Sequence, residues 1–145
     1  MRRVFGVGVV LLLALGLLPG SLFGQRSPGR DHGSQLGQNY PNPFNPESTI
    51  PFTVLEEDVA GGRPAVVTLR IFNVLQQFVA VPTALDYPLG DGIPVENLQY
   101  GSPGLKEAYW NGKDRTGRSV ASGVYYYQLI VNGERRGVKK MVVTK

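Results

Sequence analysis

Apolar and polar residues alternate with a period of two through much of the chain beyond residue 48, which is typical of β-strands that bury one face. Turn-forming residues separate the alternating runs. The alternation predicts strands at residues 49–55, 65–74, 78–81, 105–110, 123–131 and 136–144. No window of about twelve residues has the period of a helix.

The same alternation predicts the core. In the strand at 123–131, Tyr125, Tyr127 and Leu129 share one face, and we expect them to pack with Trp110. A ladder of tyrosines could instead bind sugars, but the neighbouring valines and leucines favour a core. Asn132-Gly133 predicts a tight hairpin turn, because both residues tolerate positive φ. Six or seven short antiparallel strands predict an all-β fold, an immunoglobulin-like antiparallel β-sandwich of about seven strands.

The first residues have the parts of a secretory signal peptide: a basic start at residues 1–3, an uncharged apolar run at 4–18 and a helix-breaking Pro19-Gly20. A transmembrane anchor is the alternative, but the apolar run is shorter than the roughly twenty residues that span a bilayer. We expect residues 1–24 to be removed and no membrane span to remain. Residues 25–37 are polar apart from Leu36 and predict a flexible linker, which places the β-sandwich domain at 38–145.

The alternation stops between residues 83 and 104, where prolines and glycines are frequent. A loop of this length is either functional or disordered. Its apolar residues, among them Tyr87, Val95 and Tyr100, favour a surface loop that packs back onto the sandwich over a binding loop.

Composition argues against catalysis. The chain has no cysteine and one histidine, His32, which lies in the predicted linker. No Ser/His/Asp set and no phosphate-binding loop is present, so we expect no enzyme, cofactor, metal site or small-molecule substrate. The formal charge is only +4, and it becomes smaller still if Arg2 and Arg3 are removed with the signal peptide. So small a positive charge argues against a nucleic-acid partner. Asp114 lies in a segment that faintly resembles a calcium loop, but a turn held by side chain–backbone hydrogen bonds is favoured.

Three segments carry a resemblance to a known family. They are residues 38–46, with the sequence Gln-Asn-Tyr-Pro-Asn-Pro-Phe-Asn-Pro (the proline motif below), residues 110–129, and the ending Lys-Lys-Met-Val-Val-Thr-Lys at 139–145. Together they resemble the C-terminal sorting domains (type A) of the type IX secretion system. Those domains are similar to the immunoglobulin-like domain of flagellar hook-capping proteins.

The resemblance implies a non-catalytic exported module that the type IX machinery recognises for secretion or cell-surface attachment. Its partners would be secretion-machinery proteins of the periplasm and outer membrane. The alternative is a structural domain of a surface or hook-cap type assembly, with no sorting role. Two groups of site residues are implied. In the proline motif they are Asn39, Pro41, Asn42, Pro43, Phe44, Asn45 and Pro46. At the C-terminus they are Lys139, Lys140, Met141, Val142, Val143 and Lys145.

Three further expectations concern the last strand and the proline motif. The last strand should lie at or near a sheet edge, where unpaired backbone groups would let a receptor add a strand. Lys139, Lys140 and Lys145 would steer an acidic receptor surface. In the proline motif, Tyr40 and Phe44 are expected to form an apolar clasp over the sandwich edge.

Overall fold

The structure of the chain is a computed structural model that describes residues 35–145. The predicted signal peptide and residues 25–34 of the predicted linker lie outside these residues. Eight strands form within these described residues: β1 (Ser48–Val54), β2 (Ala65–Asn73), β3 (Phe78–Ala80), β4 (Thr83–Ala84), β5 (Leu98–Tyr100), β6 (Gly104–Trp110), β7 (Gly123–Val131) and β8 (Glu134–Val143). A short 3₁₀ segment, Glu56–Gly62, follows β1. In the described part of the chain, no helix is long and apolar enough to cross a membrane.

The strands form two antiparallel sheets. The smaller sheet has the order β1-β6-β4. The larger sheet has the order β3-β2-β7-β8, and β5 pairs with the first residues of β2. Buried apolar side chains from both sheets form the core. The fold is therefore the predicted all-β sandwich.

The strand predictions are confirmed in position and in phase. Every predicted strand is present, and each observed end lies within two residues of the expected one. In β7 the side chains of Tyr125, Tyr127 and Leu129 are buried, and Trp110 at the end of β6 is buried with them. Asn132 and Gly133 have φ values of 51° and 80°, and they form the tight turn between β7 and β8.

The stretch at 83–104 packs onto the sandwich as expected, but it is not one loop. It contains β4 and β5, and between them residues 93–95 connect the two sheets. Ala84 of the smaller sheet donates its backbone N–H to the carbonyl of Ile93, and Leu69 of the larger sheet donates to the carbonyl of Val95. Val95 is fully buried. These pairings extend over only two or three residues, too few to produce a visible alternation in the sequence.

Residues 35–40 lie alongside β1 and extend the smaller sheet. The backbone N–H of Thr53 donates to the carbonyl of Gln35, and that of Gly37 donates to the carbonyl of Pro51, both at 2.8 Å. Leu36 is buried and lies against Gly137 of β8. The predicted linker boundary at residue 37 is therefore wrong for residues 35–37, which belong to the sandwich. A single leucine among polar residues gave no periodic signal of this pairing.

A buried ion pair fixes the start of this segment to the larger sheet. The guanidinium of Arg136 on β8 lies 3.0 Å from the carboxylate of Asp58, and both side chains are almost fully buried. Gln35 donates to the other Asp58 oxygen at 3.0 Å and accepts a hydrogen bond from Arg136 at 3.2 Å. A buried ion pair needs such added hydrogen bonds to offset desolvation. Residue 35 is consequently held by both β8 and the 3₁₀ segment.

We predict that Tyr127→Phe destabilises the protein. The Tyr127 hydroxyl donates to the carbonyl of Gly37 at 2.8 Å and accepts from the backbone N–H of Asn39 at 2.9 Å. Its removal leaves both groups without that partner, which costs about 1–3 kcal/mol in the free energy of unfolding. Tyr100→Phe is the matched control, because the buried Tyr100 hydroxyl has no hydrogen-bond partner among the described residues. Urea denaturation of both variants measures the difference, and equal midpoints would contradict the role assigned to Tyr127.

Alkaline pH should also destabilise the fold. Burial raises the pKa of Tyr127 and that of Tyr100 from 10.0 to about 12. Because the unfolded chain loses these protons first, the stabilisation is complete below pH 10 and is lost as the pH rises from 10 towards 12. Ultraviolet titration of tyrosinate, recorded together with the melting temperature, should show Tyr127 ionising only as the protein unfolds. Ionisation of every tyrosine near pH 10 in a folded protein would refute this.

Candidate functional site

The last strand, β8, lies at the edge of the larger sheet, but the outer edge of its last residues is already paired. The backbone N–H of Phe44 donates to the carbonyl of Val142 at 3.0 Å. The backbone N–H of Thr144 donates to the carbonyl of Phe44 at 2.9 Å. The proline motif therefore acts as a short strand beside the end of β8.

Side chains of the motif bind the same edge. The Asn42 side-chain oxygen accepts the backbone N–H of Val142 at 3.0 Å, and the Gln38 amide donates to the carbonyl of Lys140 at 2.9 Å. The prediction that the last strand presents unpaired backbone groups is wrong at these positions. The segment that covers this edge lies far earlier in the chain, since Asn42 and Val142 are 100 residues apart. A pattern read along the last strand alone therefore does not reveal it.

Phe44 anchors the proline motif in the core. Its side chain is 1% exposed, and its ring meets that of Trp110 edge-on at a centroid distance of 5.6 Å. Trp110 contacts Tyr125 in the same way at 5.8 Å. Tyr40 is 49% exposed, so the expected apolar clasp is formed by Phe44 and not by Tyr40.

The other residues of the motif have different roles. Asn39 is buried, and its side-chain amide donates to the hydroxyl of Ser48 at 2.8 Å and to the carbonyl of Pro41 at 3.2 Å. The carbonyl of Pro46 lies so close to Gly112 that a Cβ there would be 2.6 Å from the oxygen. Gly112 also has a φ of 73°, so a glycine is needed at this contact. The remaining site residues of the motif are exposed: Asn42, Pro43 and Asn45.

The C-terminal residues divide into two groups. Met141 and Val143 are buried in the core, and Val142 is half-buried. Lys140 and Lys145 are exposed, and Lys139 is half-buried. At the end of the chain the exposed groups are therefore lysine side chains, while the backbone edge between residues 140 and 144 is bonded.

The loop between β6 and β7 contains the predicted side chain–backbone turn. One carboxylate oxygen of Asp114 accepts hydrogen bonds from the Thr116 hydroxyl at 2.7 Å, the Thr116 N–H at 2.9 Å and the Arg118 N–H at 3.0 Å. These hydrogen bonds lower the pKa of Asp114 below its usual 3.8, and the bond from the Thr116 hydroxyl contributes most to this shift. The prediction of a turn is confirmed.

This loop also forms a basic surface that the sequence did not reveal. The guanidinium of Arg115 lies 4.6 Å from the ring centroid of Phe78, and that of Arg70 lies 5.7 Å from the same centroid. Two clefts, of about 550 and 590 Å³, are both lined by Phe78, Asp114 and Arg115. Arg118 lines the first cleft and Lys113 the second. Phe78 and Arg115 lie far apart in sequence and share no motif, so only the fold brings them together.

No protein-family profile matches the chain, and no curated protein matches it. Among solved structures, dimeric latent PorU from Porphyromonas gingivalis is similar, with 20% identity, a TM-score of 0.52, and coverage of 75% of this chain and 9% of PorU. PorZ, an essential surface component of the type IX secretion system of the same organism, has 18% identity and a TM-score of 0.45, over 78% of this chain and 12% of PorZ. The alkylpurine DNA glycosylase AlkC from Pseudomonas fluorescens has 16% identity and a TM-score of 0.47, over 77% of this chain and 30% of AlkC. The chain thus spans less than a third of each of these proteins, and the likeness to PorU is one of fold.

We predict that Asp114→Ala loosens the loop between β6 and β7. The backbone amides of Thr116 and Arg118 should then exchange with solvent faster than in the wild type, as measured by hydrogen-exchange NMR. Asp91→Ala, which removes an exposed carboxylate from another loop, is the control and should leave both amides unchanged.

The same loop should respond to acid. Because the pKa of Asp114 is lowered by folding, its stabilising effect is present above pH 3.8 and is lost as the pH falls through the lowered value. An NMR titration that found Asp114 protonating at or above its usual pKa would contradict the hydrogen-bonded turn.

Proposed function

We propose that the chain is an exported, non-catalytic β-sandwich module that the type IX secretion machinery recognises as a C-terminal sorting domain, for secretion or attachment to the cell surface. One observation carries the proposal. The proline motif and the C-terminal strand, two of the segments on which the family resemblance rests, pair with each other through the Phe44–Val142 and Thr144–Phe44 hydrogen bonds. The fold shared with part of PorU is consistent with this function.

The pairing supports a joint role for the two segments. Phe44 fills the core beside Trp110, and its backbone holds the last residues of β8 in place. Met141 and Val143 anchor the same residues from inside the sandwich. Lys140 is therefore presented on a fixed backbone and Lys145 directly follows one, so a receptor would have little flexible chain to order.

Recognition then depends on side chains. At the end of β8, backbone groups of Lys140, Val142 and Thr144 that a receptor would need for strand addition are bonded to Gln38, Asn42 and Phe44. Lys140 and Lys145 are exposed and carry positive charge at the end of β8. An acidic receptor surface would meet these charges, and such complementarity governs the association rate and the choice of partner.

The test follows the 145-residue chain in a host that has the type IX machinery and in the same host with its outer-membrane translocation step disrupted. The wild-type chain should reach the medium or the cell surface in the first host and remain in the periplasm in the second. An identical distribution in the two hosts would overturn the sorting function.

The predicted contribution of charge is tested in the same hosts with Lys140→Glu combined with Lys145→Glu. This variant should fold, by circular dichroism, and be exported several-fold less, because a steered association is slowed by charge reversal. Arg63→Glu combined with Arg135→Glu reverses the same number of exposed charges elsewhere and should be exported normally. Equal export of the two double variants would refute a specific role for the C-terminal lysines.

A further inference from the structure

The end of the sandwich that contains the loop between β6 and β7 has a set of exposed cations. Lys113, Arg115 and Arg118 are exposed, and none of them forms an ion pair with a carboxylate of the described residues. We call Lys113, Arg115, Arg118 and the adjoining Arg70 and Phe78 the basic end.

Two neighbouring carboxylates offset these cations only in part. The hydrogen bonds to the Asp114 carboxylate from Thr116 and Arg118 lower its pKa, and the charge of Arg118 helps to lower it further. Asp114 directs one oxygen into its own loop, where it accepts three hydrogen bonds from Thr116 and Arg118. Glu96 lies 3.8 Å from Arg70, and both of these side chains are roughly half exposed, at 48% and 43%. An exposed pair at this distance is weak and can exchange for a ligand carboxylate.

Arg115 is held in place before any ligand arrives. Its backbone N–H donates to the carbonyl of Val79 on β3 at 3.0 Å, which fixes the loop to the edge of the larger sheet. Its guanidinium lies over the Phe78 ring at 4.6 Å. A guanidinium stacked on an aromatic ring keeps its N–H groups directed outward, and its planar fork matches a carboxylate with two parallel hydrogen bonds.

The two clefts give the ligand a place to lie. Both have Arg115 in their lining, and each has one further cation, Arg118 or Lys113. Volumes of about 550 and 590 Å³ are in the range of sites that hold small ligands or a few side chains. Apolar groups line them too, with Val120 and Tyr125 in the first cleft and Pro94 and Trp110 in the second.

We propose that the basic end binds an acidic peptide segment of a partner protein, with ligand carboxylates on Arg115 and Arg118 and intervening apolar side chains in the clefts. A mixed apolar and cationic lining fits a peptide that carries both kinds of side chain. A polyphosphate fits poorly, because Asp114 and Glu96 are also in the cleft linings and would repel its continuous charge. This binding activity goes beyond the sorting function and does not depend on it.

The experiment uses isothermal titration calorimetry on the 145-residue chain. The probe is a short blocked peptide in which Glu and Leu alternate, and the matched peptide has Gln in place of Glu. The Glu peptide should bind, more weakly as salt is added, and the Gln peptide should bind at least about tenfold more weakly, since charge-assisted hydrogen bonds are lost. Equal binding of the two peptides, or no binding of the Glu peptide, overturns the proposal.

Variants locate the site. Arg115→Gln combined with Arg118→Gln should weaken binding of the Glu peptide by about tenfold or more, because two charge-assisted contacts are removed. Arg63→Gln combined with Arg135→Gln is the control and should leave the affinity unchanged, and melting temperatures verify that both variants fold. A similar loss in both double variants would show a non-specific charge effect and refute the site. Tripolyphosphate binding as tight as that of the Glu peptide would identify a general anion site and refute the preference for peptide.

Discussion

The closure of the sandwich along one side depends on the segment from Gln35 to Phe44. Its first half extends the smaller sheet beside β1, and its second half covers the outer edge of the last residues of β8 in the larger sheet. Phe44 and Leu36 fill the core beneath it, and the Asp58–Arg136 ion pair with Gln35 fixes its start. An exposed sheet edge is open to unwanted pairing, and this one segment protects edges of both sheets.

A second connection between the sheets, at residues 93–95, also occupies backbone groups that would otherwise be open to pairing. Residues 93–95 accept hydrogen bonds from Ala84 in the smaller sheet and from Leu69 in the larger one. With backbone groups occupied at both places, the surface available for recognition consists mainly of side chains. Exposed charged groups on this surface include Lys140 and Lys145 at the end of the chain and the arginines of the basic end.

Sequence alone predicted the sandwich because long strands that bury one face repeat with a period of two, as Tyr125, Tyr127 and Leu129 do in β7. It did not predict the two connections between the sheets, at residues 35–44 and 93–95. Leu36 is a single apolar residue in a polar stretch, and residues 93–95 pair over too short a length to alternate. The pairing of Phe44 with β8 joins positions about a hundred residues apart, which no local pattern encodes. The contact between Phe78 and Arg115 was missed for the same reason. The turn at Asp114 was predictable because its bonds are local.

The most direct test of this account is native-state hydrogen exchange of the amides of Gly37, Phe44 and Thr144. Each of these amides donates a hydrogen bond between the segment at residues 35–44 and a sheet. If the segment is an integral part of the sandwich, these amides open only when the whole domain unfolds, so their protection should equal that of the central strand β7. Exchange much faster than that of β7, approaching the rate of the exposed turns, would show that the segment detaches on its own. The edge of β8 would then be open to strand addition, contrary to the structure described.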